Sequence, residues 1–401
     1  MSEKTGVVVI GGGYAGVMAA NRLTQRGDVT VTLINPRPTF VHRVRLHQLV
    51  GGNDSAVVDY QEVLAEGVRL VVDSVTRIDA VGRGVELASG SAIGYDYLVY
   101  AVGSGSADPQ VLGAAEFAYP IASLEEVQRL LPVLDATPAK AEVTVVGGGP
   151  LGIEAAAELA EQDRSVTLVC GGRLGPYLHP RGRRSVARQL AALGVTVVEG
   201  PDTKVTAVTR DVVRLADGRE LPSVVTIWTA GFGVPDLAAR SGLSTDALGR
   251  LLTDESLTSV NDERIVAAGD SAAPSGLPLR MSCLYAIPMG AQAADTVLSR
   301  LAGEQPESLN QTLGAQCISL GRSTGIFQLG NKSDVAMWFH IDGRLGAKVK
   351  EGICSGIPKH LAKEAHKPGE YKLHRMKGGA GRRKALEAMS AEAASDVEQA
   401  A

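Results

Sequence analysis

The chain has 401 residues, of which 45% are hydrophobic and 21% are charged, so it is long enough for two or three globular domains. The formal net charge is −4 and no stretch of about 18 consecutive apolar residues occurs, so we expect neither a nucleic-acid partner nor a membrane-spanning helix. The cysteines follow no C-x-x-C or zinc-ligand spacing, which favours a reduced cytoplasmic setting without a bound metal: Cys170, Cys283, Cys317 and Cys354.

A glycine-rich loop near the N-terminus predicts a nucleotide-binding unit. The apolar run Val7–Ile10 is typical of a buried parallel strand, and we interpret it as a core strand and not as a signal peptide. It leads into Gly11, Gly13 and Gly16, which fit the pattern G-x-G-x-x-G. The first glycine permits a tight turn, the second lets the backbone approach a pyrophosphate, and the third lets the next helix pack on the strand. The unit is completed by a helix at residues 15–26 and a strand at residues 30–34.

The same unit occurs a second time. Residues 143–146 form another apolar run, followed by Gly147, Gly149, Gly152 and Glu154, and the second loop begins 136 positions (147 − 11) after the first. A helix at residues 155–162 and a strand at residues 166–169 then follow, as in the first unit. Two dinucleotide sites in one chain imply two dinucleotides and electron transfer between them.

Between the two units, the sequence predicts a cationic segment and a series of short elements. Arg43–Gln48 mixes cations with apolar residues, so its arginines are candidates for binding cofactor phosphates, and a solvated helix face is the alternative. The other predicted elements are strands at 68–72, 75–78 and 95–104, a hairpin at 84–87 and 90–93, and a helix at 123–134.

In the second half, the repeat continues beyond the glycine loop. The apolar run at 224–232 ends near Gly231, just as the run at 95–104 ends near Gly103. A further strand ends in Gly269-Asp270, where a carboxylate can bind a ribityl or sugar hydroxyl, and an ordinary Asx turn is the alternative. The other predicted elements are strands at 195–198, 204–208, 316–320 and 335–340, a hairpin at 212–220, a helix at 281–301 and a disordered tail from residue 378.

The net charge conceals a basic segment near the C-terminus. Residues 344–384 hold twelve Lys or Arg and three Glu, a balance of +9 (12 − 3), whereas residues 385–401 hold four acids and no Lys or Arg. Within the basic segment, Ile353, Ile357 and Leu361 recur at near-helical spacing. We therefore expect weak contact with an anionic membrane surface, and a solvated, packed domain is the alternative.

Taken in order, these motifs resemble those of the two-dinucleotide-binding-domain flavoproteins, the pyridine nucleotide-disulfide oxidoreductase superfamily. The resemblance spans roughly residues 5–300 and rests on both glycine loops, both repeated strand ends and Asp270. It implies an α/β fold with two Rossmann-like dinucleotide-binding domains, FAD on the first and NADH or NADPH on the second, plus a smaller C-terminal α+β region. The implied domains are 1–115 with 253–305 for FAD, 116–252 for NAD(P)H, 306–377 for the C-terminal domain with a membrane or dimer contact, and 378–401 for the tail.

Within this superfamily, the chain is most similar to type II NADH:quinone oxidoreductases and to apoptosis-inducing-factor-like ferroptosis-suppressor oxidoreductases. It lacks the Cys-x4-Cys pair of the disulfide reductases, it matches around Phe40 and His47, and its basic C-terminal region stands where the type II enzymes carry a membrane-binding segment. It departs from them at two places. Asn35 replaces the acid that usually holds the adenosine ribose, and the stretch Ser282–Gly290 lacks the glutamines of the quinone tunnel.

The resemblance also implies roles for individual residues. Glu154 would orient the nicotinamide, and an acid that complements the helix dipole is the alternative. His47 would lie near the flavin ring, with a structural histidine as the alternative, and Asp270 would bind the flavin ribityl chain. The candidate cofactor-binding residues are Gly11, Gly13, Ala15, Gly16, Asn35, Arg37, Arg43, Val75, Ala101, Gly103, Asp270, Ala286, Gly147, Gly149, Gly152, Glu154, Arg173 and Gly231.

The implied reaction is hydride transfer from NAD(P)H to flavin N5, followed by electron transfer to a quinone-like acceptor. A ferredoxin- or rubredoxin-type reductase and a slow-turnover redox-sensing flavoprotein are the alternatives, whereas the complete second glycine loop argues against a sulfide:quinone oxidoreductase. Cys170 stands where NAD-preferring domains place an acid, so we expect NADPH, bound through Arg173, to be accepted at least comparably to NADH. A solvent-facing Arg173 is the alternative. We further hypothesise a homodimer and a cytoplasmic protein that touches the inner face of the membrane.

Overall fold

The folded chain is built on two parallel sheets, each of which contains one glycine loop. A computed structural model describes residues 4–52, 56–311, 314–331, 333–372, 379 and 381–389. It contains two five-stranded parallel sheets and several small, mostly antiparallel sheets, so the predicted α/β fold with two Rossmann-like units is confirmed.

The described residues up to position 113 surround the first glycine loop. The run Val7–Ile10 lies in the central strand, where no side chain is more than 4% exposed, as expected of a parallel strand covered on both faces. The elements are β1 (Thr5–Ile10), α1 (Tyr14–Leu23), β2 (Val29–Asn35), β3 (Thr39–Val41), α2 (Leu46–Val50), β4 (Val57–Asp59), α3 (Tyr60–Val63), β5 (Val68–Val72), β6 (Val75–Asp79), β7 (Gly84–Leu87), β8 (Ala92–Gly94), β9 (Tyr97–Tyr100) and β10 (Gly105–Ser106).

The next part of the chain surrounds the second glycine loop. Ser123 begins its first long helix with a capping box, in which the Ser123 hydroxyl accepts from the Glu126 amide and the Glu126 carboxylate accepts from the Ser123 amide. The elements are α4 (Ala114–Phe117), β11 (Ala118–Pro120), α5 (Leu124–Ala136), β12 (Glu142–Val146), α6 (Pro150–Glu161), β13 (Ser165–Val169), α7 (Pro180–Ala192), β14 (Thr196–Val198), β15 (Val205–Val208), β16 (Val212–Leu215), β17 (Glu220–Pro222), β18 (Val225–Trp228), β19 (Phe232–Gly233), α8 (Leu237–Arg240) and β20 (Leu251–Thr253).

The last third of the chain returns to the first sheet and then forms the C-terminal region. Single 3₁₀ turns lie at Arg43–Arg45 and Gly269–Ser271, and residues 381–389 are helical. The elements are β21 (Ile265–Ala267), β22 (Ala272–Pro274), α9 (Cys283–Leu301), β23 (Ala315–Ser319), β24 (Gly325–Gly330), β25 (Ala336–Asp342) and α10 (Gly343–His366).

The two large sheets share one arrangement of strands. The first has the order β21-β9-β1-β2-β5 and the second has the order β11-β18-β12-β13-β14, so β1 and β12 occupy equivalent central positions. β21 follows the whole second sheet in sequence, and the chain therefore returns to complete the first sheet. The boundaries that we predict for the domains stay predictions.

The C-terminal region is a three-stranded antiparallel sheet, β23-β24-β25, with α10 packed on β24. Ile357 and Leu361 are 4% and 0% exposed because this face of α10 packs into the core. The apolar row that we expected at a membrane is therefore buried, and that part of the prediction is wrong. The large exposed apolar side chains of this region lie instead on or beside β25: Val335, Met337, Trp338, Phe339 and Leu345.

Part of the C-terminal tail departs from the predicted disorder. Residues 381–389 are helical, and Arg382 is 7% exposed and forms two hydrogen bonds with the carboxylate of Glu255. This contact joins residues far apart in sequence, so composition alone gives no sign of it. Within the described ranges, no helix is both long and apolar enough to cross a bilayer.

Candidate active site

A cavity of about 1060 Å³ reaches all three regions of the molecule. Its walls come from the second glycine loop, from residues 43–47, from the loop before α9, and from β23 and α10. Mixed apolar and polar walls that converge from several elements are typical of a ligand site.

The first glycine loop leaves space for a phosphate. A Cβ atom on Gly11, whose φ is +100°, would collide with the carbonyl of Ala101, and one on Gly16 would collide with the carbonyl of Gly11. A Cβ atom on Gly13 would meet nothing within 4 Å. The first and third glycines are therefore required by packing, while the second borders open space at the N-terminus of α1, where backbone amides bind phosphate groups. These residues fit the pyrophosphate of a dinucleotide.

The second loop repeats this geometry. A Cβ atom on Gly147 would collide with Thr229, one on Gly152 would collide with the carbonyl of Gly147, and one on Gly149 would again meet nothing within 4 Å. Gly147, Gly149 and Gly231 line the cavity. The second loop therefore fits a pyrophosphate as well as the first loop does.

Asn35, at the end of β2, braces the first loop. Its side-chain oxygen accepts from the Gly12 amide at 2.9 Å, and its side-chain nitrogen donates to the Arg37 carbonyl at 2.9 Å. Tyr60 donates to the Gly12 carbonyl at 2.8 Å and completes the brace. The ribose contact that we expect of Asn35 stays a prediction. The Arg37 side chain pairs with Glu125 at 2.5 Å, and the cofactor contact that we expect of Arg37 also stays a prediction.

Asp270 is held rigidly at the cavity wall. One carboxylate oxygen accepts from the Ser104 hydroxyl at 2.7 Å, and the other accepts from the Ser282 amide at 3.1 Å. The Arg43 guanidinium donates to Ser104 at 3.4 Å and to the carbonyl of Ala122 at 3.2 Å. The structure thus brings the predicted residues Asp270 and Arg43 together through Ser104, which the sequence did not single out.

Small residues allow the first glycine loop, the turn at Gly269 and α9 to pack closely against one another. A Cβ atom on Gly269 would lie 3.1 Å from the Cβ of Ala15 and 3.6 Å from that of Ala286. The predicted residues Ala15 and Ala286 therefore lie together, and Ala286 lines the cavity. Val75 begins β6, in the small sheet of β6, β7 and β8, and its cofactor contact stays a prediction.

A buried ionic cluster faces the cavity one turn into α6. The Glu154 carboxylate forms an ion pair with the Lys350 ammonium of α10, accepts from the Ser319 amide at 3.0 Å and lies 3.4 Å from Nδ1 of His47. Glu154, Lys350 and His47 are 6%, 6% and 1% exposed. Both predicted catalytic residues thus meet in one cluster, and Lys350 is the member that sequence reasoning missed.

The charges of this cluster follow from its surroundings. Burial alone would raise the pKa of Glu154, but its charged neighbours and the Ser319 amide outweigh burial and lower the pKa below its usual value. Burial would lower the pKa of Lys350, and the adjacent carboxylate raises it instead. Burial lowers the pKa of His47 to about 4, so its ring is neutral at pH 7. The cluster is therefore a carboxylate–ammonium pair beside a neutral imidazole.

The four cysteines, which are scattered in sequence, all line the cavity and are all free thiols. Burial raises the pKa of Cys170 and of Cys283 to about 12, and that of Cys354 to about 11. Neutral thiols are weak nucleophiles. Across the described ranges, no group of three or more His, Cys, Asp or Glu residues is arranged to hold a metal ion.

The residues after β13 carry the side chains that an adenosine ribose would meet in the second dinucleotide site. Cys170 lines the cavity there, whereas Arg173 is exposed and does not line it. Burial, together with Arg173, lowers the pKa of the Arg183 guanidinium, so the two cations lie near each other. The carboxylate of Glu199 accepts from the Leu174 amide at 2.9 Å and is thereby engaged by the backbone.

Comparison with known proteins places these features in a family context. The family described as pyridine nucleotide-disulphide oxidoreductase matches residues 5–296. An NADH dehydrogenase-like protein of Mycobacterium tuberculosis is 30% identical over 357 residues, which cover 81% of this chain and 88% of the relative. A type II NADH:quinone oxidoreductase of Haemophilus influenzae is 26% identical over 389 residues, which cover 81% of this chain and 87% of the relative.

The fold also matches a solved structure. NDH2 from Plasmodium falciparum in complex with NADH aligns with a TM-score of 0.75 and 15% sequence identity, over 93% of this chain and 99% of that chain. At this level of identity the likeness shows the fold alone.

Proposed function

The chain belongs to the pyridine nucleotide-disulphide oxidoreductase family, and from that membership we propose that it oxidises NAD(P)H with bound FAD and reduces a quinone-like acceptor. Flavoproteins of this family bind FAD and NAD(P)H, which confirms the cofactors predicted from the sequence. The observation that carries the proposal is the single cavity that joins the second glycine loop, the Glu154–Lys350–His47 cluster and the wall formed by α9 and β23. The quinone part is supported by the similarity to a type II NADH:quinone oxidoreductase.

The two glycine loops would divide the binding of the two dinucleotides. Gly13 and the N-terminus of α1 would bind the pyrophosphate of FAD, and Asp270, held by Ser104 and the Ser282 amide, would accept from its ribityl hydroxyls. Gly149 and the N-terminus of α6 would bind the pyrophosphate of NAD(P)H. When bound, FAD supplies a two-electron carrier between the coenzyme and the acceptor.

The buried cluster would position the nicotinamide. We assign the proton of the neutral His47 ring to Nδ1, because the Glu154 carboxylate, an acceptor, lies 3.4 Å from that atom. Nε2 of His47 is then an acceptor, and it has no partner among the described residues. The Glu154 carboxylate and Nε2 of His47 are thus two acceptors on one wall. They would accept hydrogen bonds from the amide group of the nicotinamide carboxamide. Lys350 keeps Glu154 ionised, and its positive charge stabilises negative charge that develops nearby.

An acceptor panel tests this proposal. The protein is reduced anaerobically with NADPH or NADH and then mixed with menadione, ferricyanide, a ferredoxin or oxygen, and flavin reoxidation is followed by absorbance. We expect rapid reoxidation by menadione. Rapid reoxidation by ferredoxin alone would favour the ferredoxin-reductase alternative, and persistent reduced flavin with every acceptor would favour the redox-sensing alternative.

The surface around β25 is our proposal for membrane contact. Met337, Trp338 and Phe339 are 42%, 60% and 43% exposed, and the Arg181 guanidinium lies 5.7 Å from the centre of the Trp338 ring. The neighbouring Arg344 and Lys348 are exposed as well. Exposed aromatic residues fringed by cations suit the interface of an anionic bilayer, where each cation contributes about 1 kcal/mol.

Vesicle co-sedimentation at low salt tests the membrane proposal. The full chain should sediment with vesicles that contain phosphatidylglycerol and stay in solution with purely zwitterionic ones. Replacement of Trp338 and Phe339 by Ser should abolish sedimentation, while the exposed Val81→Ser substitution, in a distant turn, serves as the control. Equal sedimentation of all variants would exclude this surface. A homodimer stays a prediction.

A further inference from the structure

One wall of the cavity is formed by residues that lie far in sequence from both glycine loops. It comes from the loop before α9, from the residues that lead into β23 and from the C-terminal helix at 381–389. None of the glycines of the two nucleotide loops lies in these elements. We therefore consider this wall as the binding surface for the second substrate.

Two glutamines in this wall carry buried side-chain polar atoms without hydrogen-bond partners. Gln311 is 6% exposed and lines the cavity, and neither its side-chain oxygen nor its nitrogen has a hydrogen-bond partner among the described residues. The side-chain oxygen of Gln316 on β23 is buried and equally unpartnered. Buried polar groups in folded proteins are nearly always hydrogen-bonded, so these atoms indicate a ligand with complementary polar groups.

A fixed guanidinium adds a third group to the same wall. Arg280 donates from Nη2 to the Asp334 carboxylate at 3.0 Å and to the Ala315 carbonyl at 2.9 Å, so its position is set. Its Nε is buried and unpartnered among the described residues. A held arginine with a free N–H is a strong donor to an oxygen atom of a ligand.

The helix at 381–389 forms part of the same wall. Arg382 donates to both oxygens of the Glu255 carboxylate at 2.8 and 2.7 Å, to the Leu277 carbonyl at 2.6 Å and to the Pro274 carbonyl at 2.9 Å. Gly381 and Ala385, on the same helix, line the cavity. These hydrogen bonds of Arg382 hold the helix against the cavity.

The chemistry of these groups indicates the class of ligand. A quinone presents carbonyl oxygens that accept hydrogen bonds, whereas the hydroquinone presents hydroxyls that donate them. A glutamine amide can donate from its nitrogen and accept at its oxygen, so it can bind both redox forms, and Arg280 adds a donor for the oxidised form. The overall reaction balances as NAD(P)H + H⁺ + quinone → NAD(P)⁺ + hydroquinone.

We propose that Gln311, Gln316 and Arg280 form the headgroup site for a quinone, at the cavity wall to which the helix at 381–389 contributes. This inference rests on the proposed function and deepens it. The site takes the place of the tunnel glutamines that the stretch Ser282–Gly290 lacks. The amides come instead from the chain between α9 and β23 and from β23 itself.

The test measures menadione binding to the oxidised holoenzyme by equilibrium dialysis, together with kcat/KM for menadione. Gln311→Met and Gln316→Met replace each amide by an apolar side chain of similar length. Gln328→Met is the matched control, because Gln328 lies opposite Gln316 on β24, is 1% exposed and does not line the cavity. Its amide donates to backbone carbonyls of Met337 and Phe339, so its loss changes stability without touching the site.

We expect Gln311→Met and Gln316→Met each to raise the menadione Kd about tenfold, in line with the loss of a buried hydrogen bond, and Gln328→Met to leave it unchanged. Wild-type turnover of menadione with unaltered Kd in both cavity variants would overturn this site while the proposed function stands. A flavin that NAD(P)H reduces but menadione neither binds nor reoxidises would overturn the proposed function and the site with it.

Discussion

The helices that follow the two glycine loops have the same backbone role but opposite chemistry. Shifting α1 by 136 positions aligns Met18 with Glu154 and Arg22 with Glu158. Met18 is 0% exposed and packs in the apolar core, whereas Glu154 is a buried carboxylate at the cavity. The first helix is therefore part of the core, and the second carries a charge to the site.

The second aligned pair, Arg22 and Glu158, has opposite charges at equivalent positions, and each residue is ion-paired within the fold. Arg22 pairs with Asp295 on α9 and with Glu364 on α10, while Glu158 pairs with Arg322 in the turn after β23 at 2.8 Å. Each pair ties its sheet to later parts of the chain. The two units thus share their glycines and their strand order. The aligned side chains on the helix after each glycine loop differ, so those of α1 only stabilise the fold, whereas those of α6 also include a charged residue of the candidate site.

The largest expected effect separates the two loops. Gly13→Val would place a branched side chain in the open space before α1, and we expect the purified protein to lack FAD. Flavin content is measured by absorbance after release from the protein, and circular dichroism checks that the variant is folded. A folded Gly13→Val protein with one FAD per chain would refute the assignment of the first loop.

A second prediction exchanges the aligned positions Met18 and Glu154. Glu154→Met leaves the Lys350 ammonium buried without its partner and should lower the free energy of unfolding by about 3–5 kcal/mol. The double variant Glu154→Met, Lys350→Met should recover much of this loss. Urea unfolding measures both, and Met18→Glu, which buries a charge in the apolar core, should be comparably destabilising. A Glu154→Met cost of under about 1 kcal/mol would show that the pair is hydrated.

A third prediction concerns the buried histidine beside each helix. His42 lies 3.0 Å from the Tyr14 hydroxyl of α1, and His47 lies beside Glu154 of α6. Burial lowers the pKa of both from 6.5 to about 4. The unfolded chain therefore takes up protons first, so the stabilisation is complete above pH 6.5 and is lost as the pH falls towards 4.

We expect a loss of about 2 kcal/mol per histidine between pH 7 and pH 5, measured by urea unfolding. His42→Gln and His47→Gln should each flatten this pH dependence. The exposed His366, at the end of α10, gives the control variant His366→Gln. An unchanged slope in both buried variants would contradict this origin of the acid sensitivity.

The smallest expected effect is on coenzyme preference. It concerns the ends of the equivalent strands β2 and β13, where Asn35 and Cys170 stand. Without an acid at Cys170, we expect kcat/KM for NADPH to be at least comparable to that for NADH. Arg173→Ala should lower kcat/KM for NADPH about tenfold with little effect on NADH, and Cys170→Glu should shift preference towards NADH. Arg188→Ala, an exposed arginine on α7, is the control. A preference for NADH of about 100-fold, or roughly 2.7 kcal/mol, would contradict this interpretation.

Local sequence patterns were sufficient to predict the parts of the fold that local patterns specify. The glycine spacing and the apolar runs identify both nucleotide loops and their central strands, because each loop is built from neighbouring residues. Glu154, His47 and Asp270 were nominated through the resemblance to known flavoproteins, and the structure brings all three to the cavity wall. The roles of these residues, and those of Arg37 and Val75, stay predictions.

Contacts between residues far apart in sequence could not be predicted from such local patterns. Lys350 lies 196 residues from Glu154 and was counted within a basic surface segment. One signal could have found it, because Lys350 shares the spacing of Cys354, Ile357 and Leu361 on the buried face of α10. A lysine in an apolar row needs a partner. The helix at 381–389 depends likewise on the distant Arg382–Glu255 pair.

The assignment of FAD to the first loop and NAD(P)H to the second is tested most directly by anaerobic reduction of the bound flavin. The wild-type protein and Gly149→Val are compared. Absorbance is followed while NADPH or NADH is added in small steps. We expect about one equivalent of coenzyme to bleach the wild-type flavin, whereas Gly149→Val should keep its FAD but resist bleaching, because the second loop no longer admits a pyrophosphate. Bleaching of Gly149→Val at the wild-type rate and coenzyme concentration, or no bleaching of the wild type, would contradict this assignment.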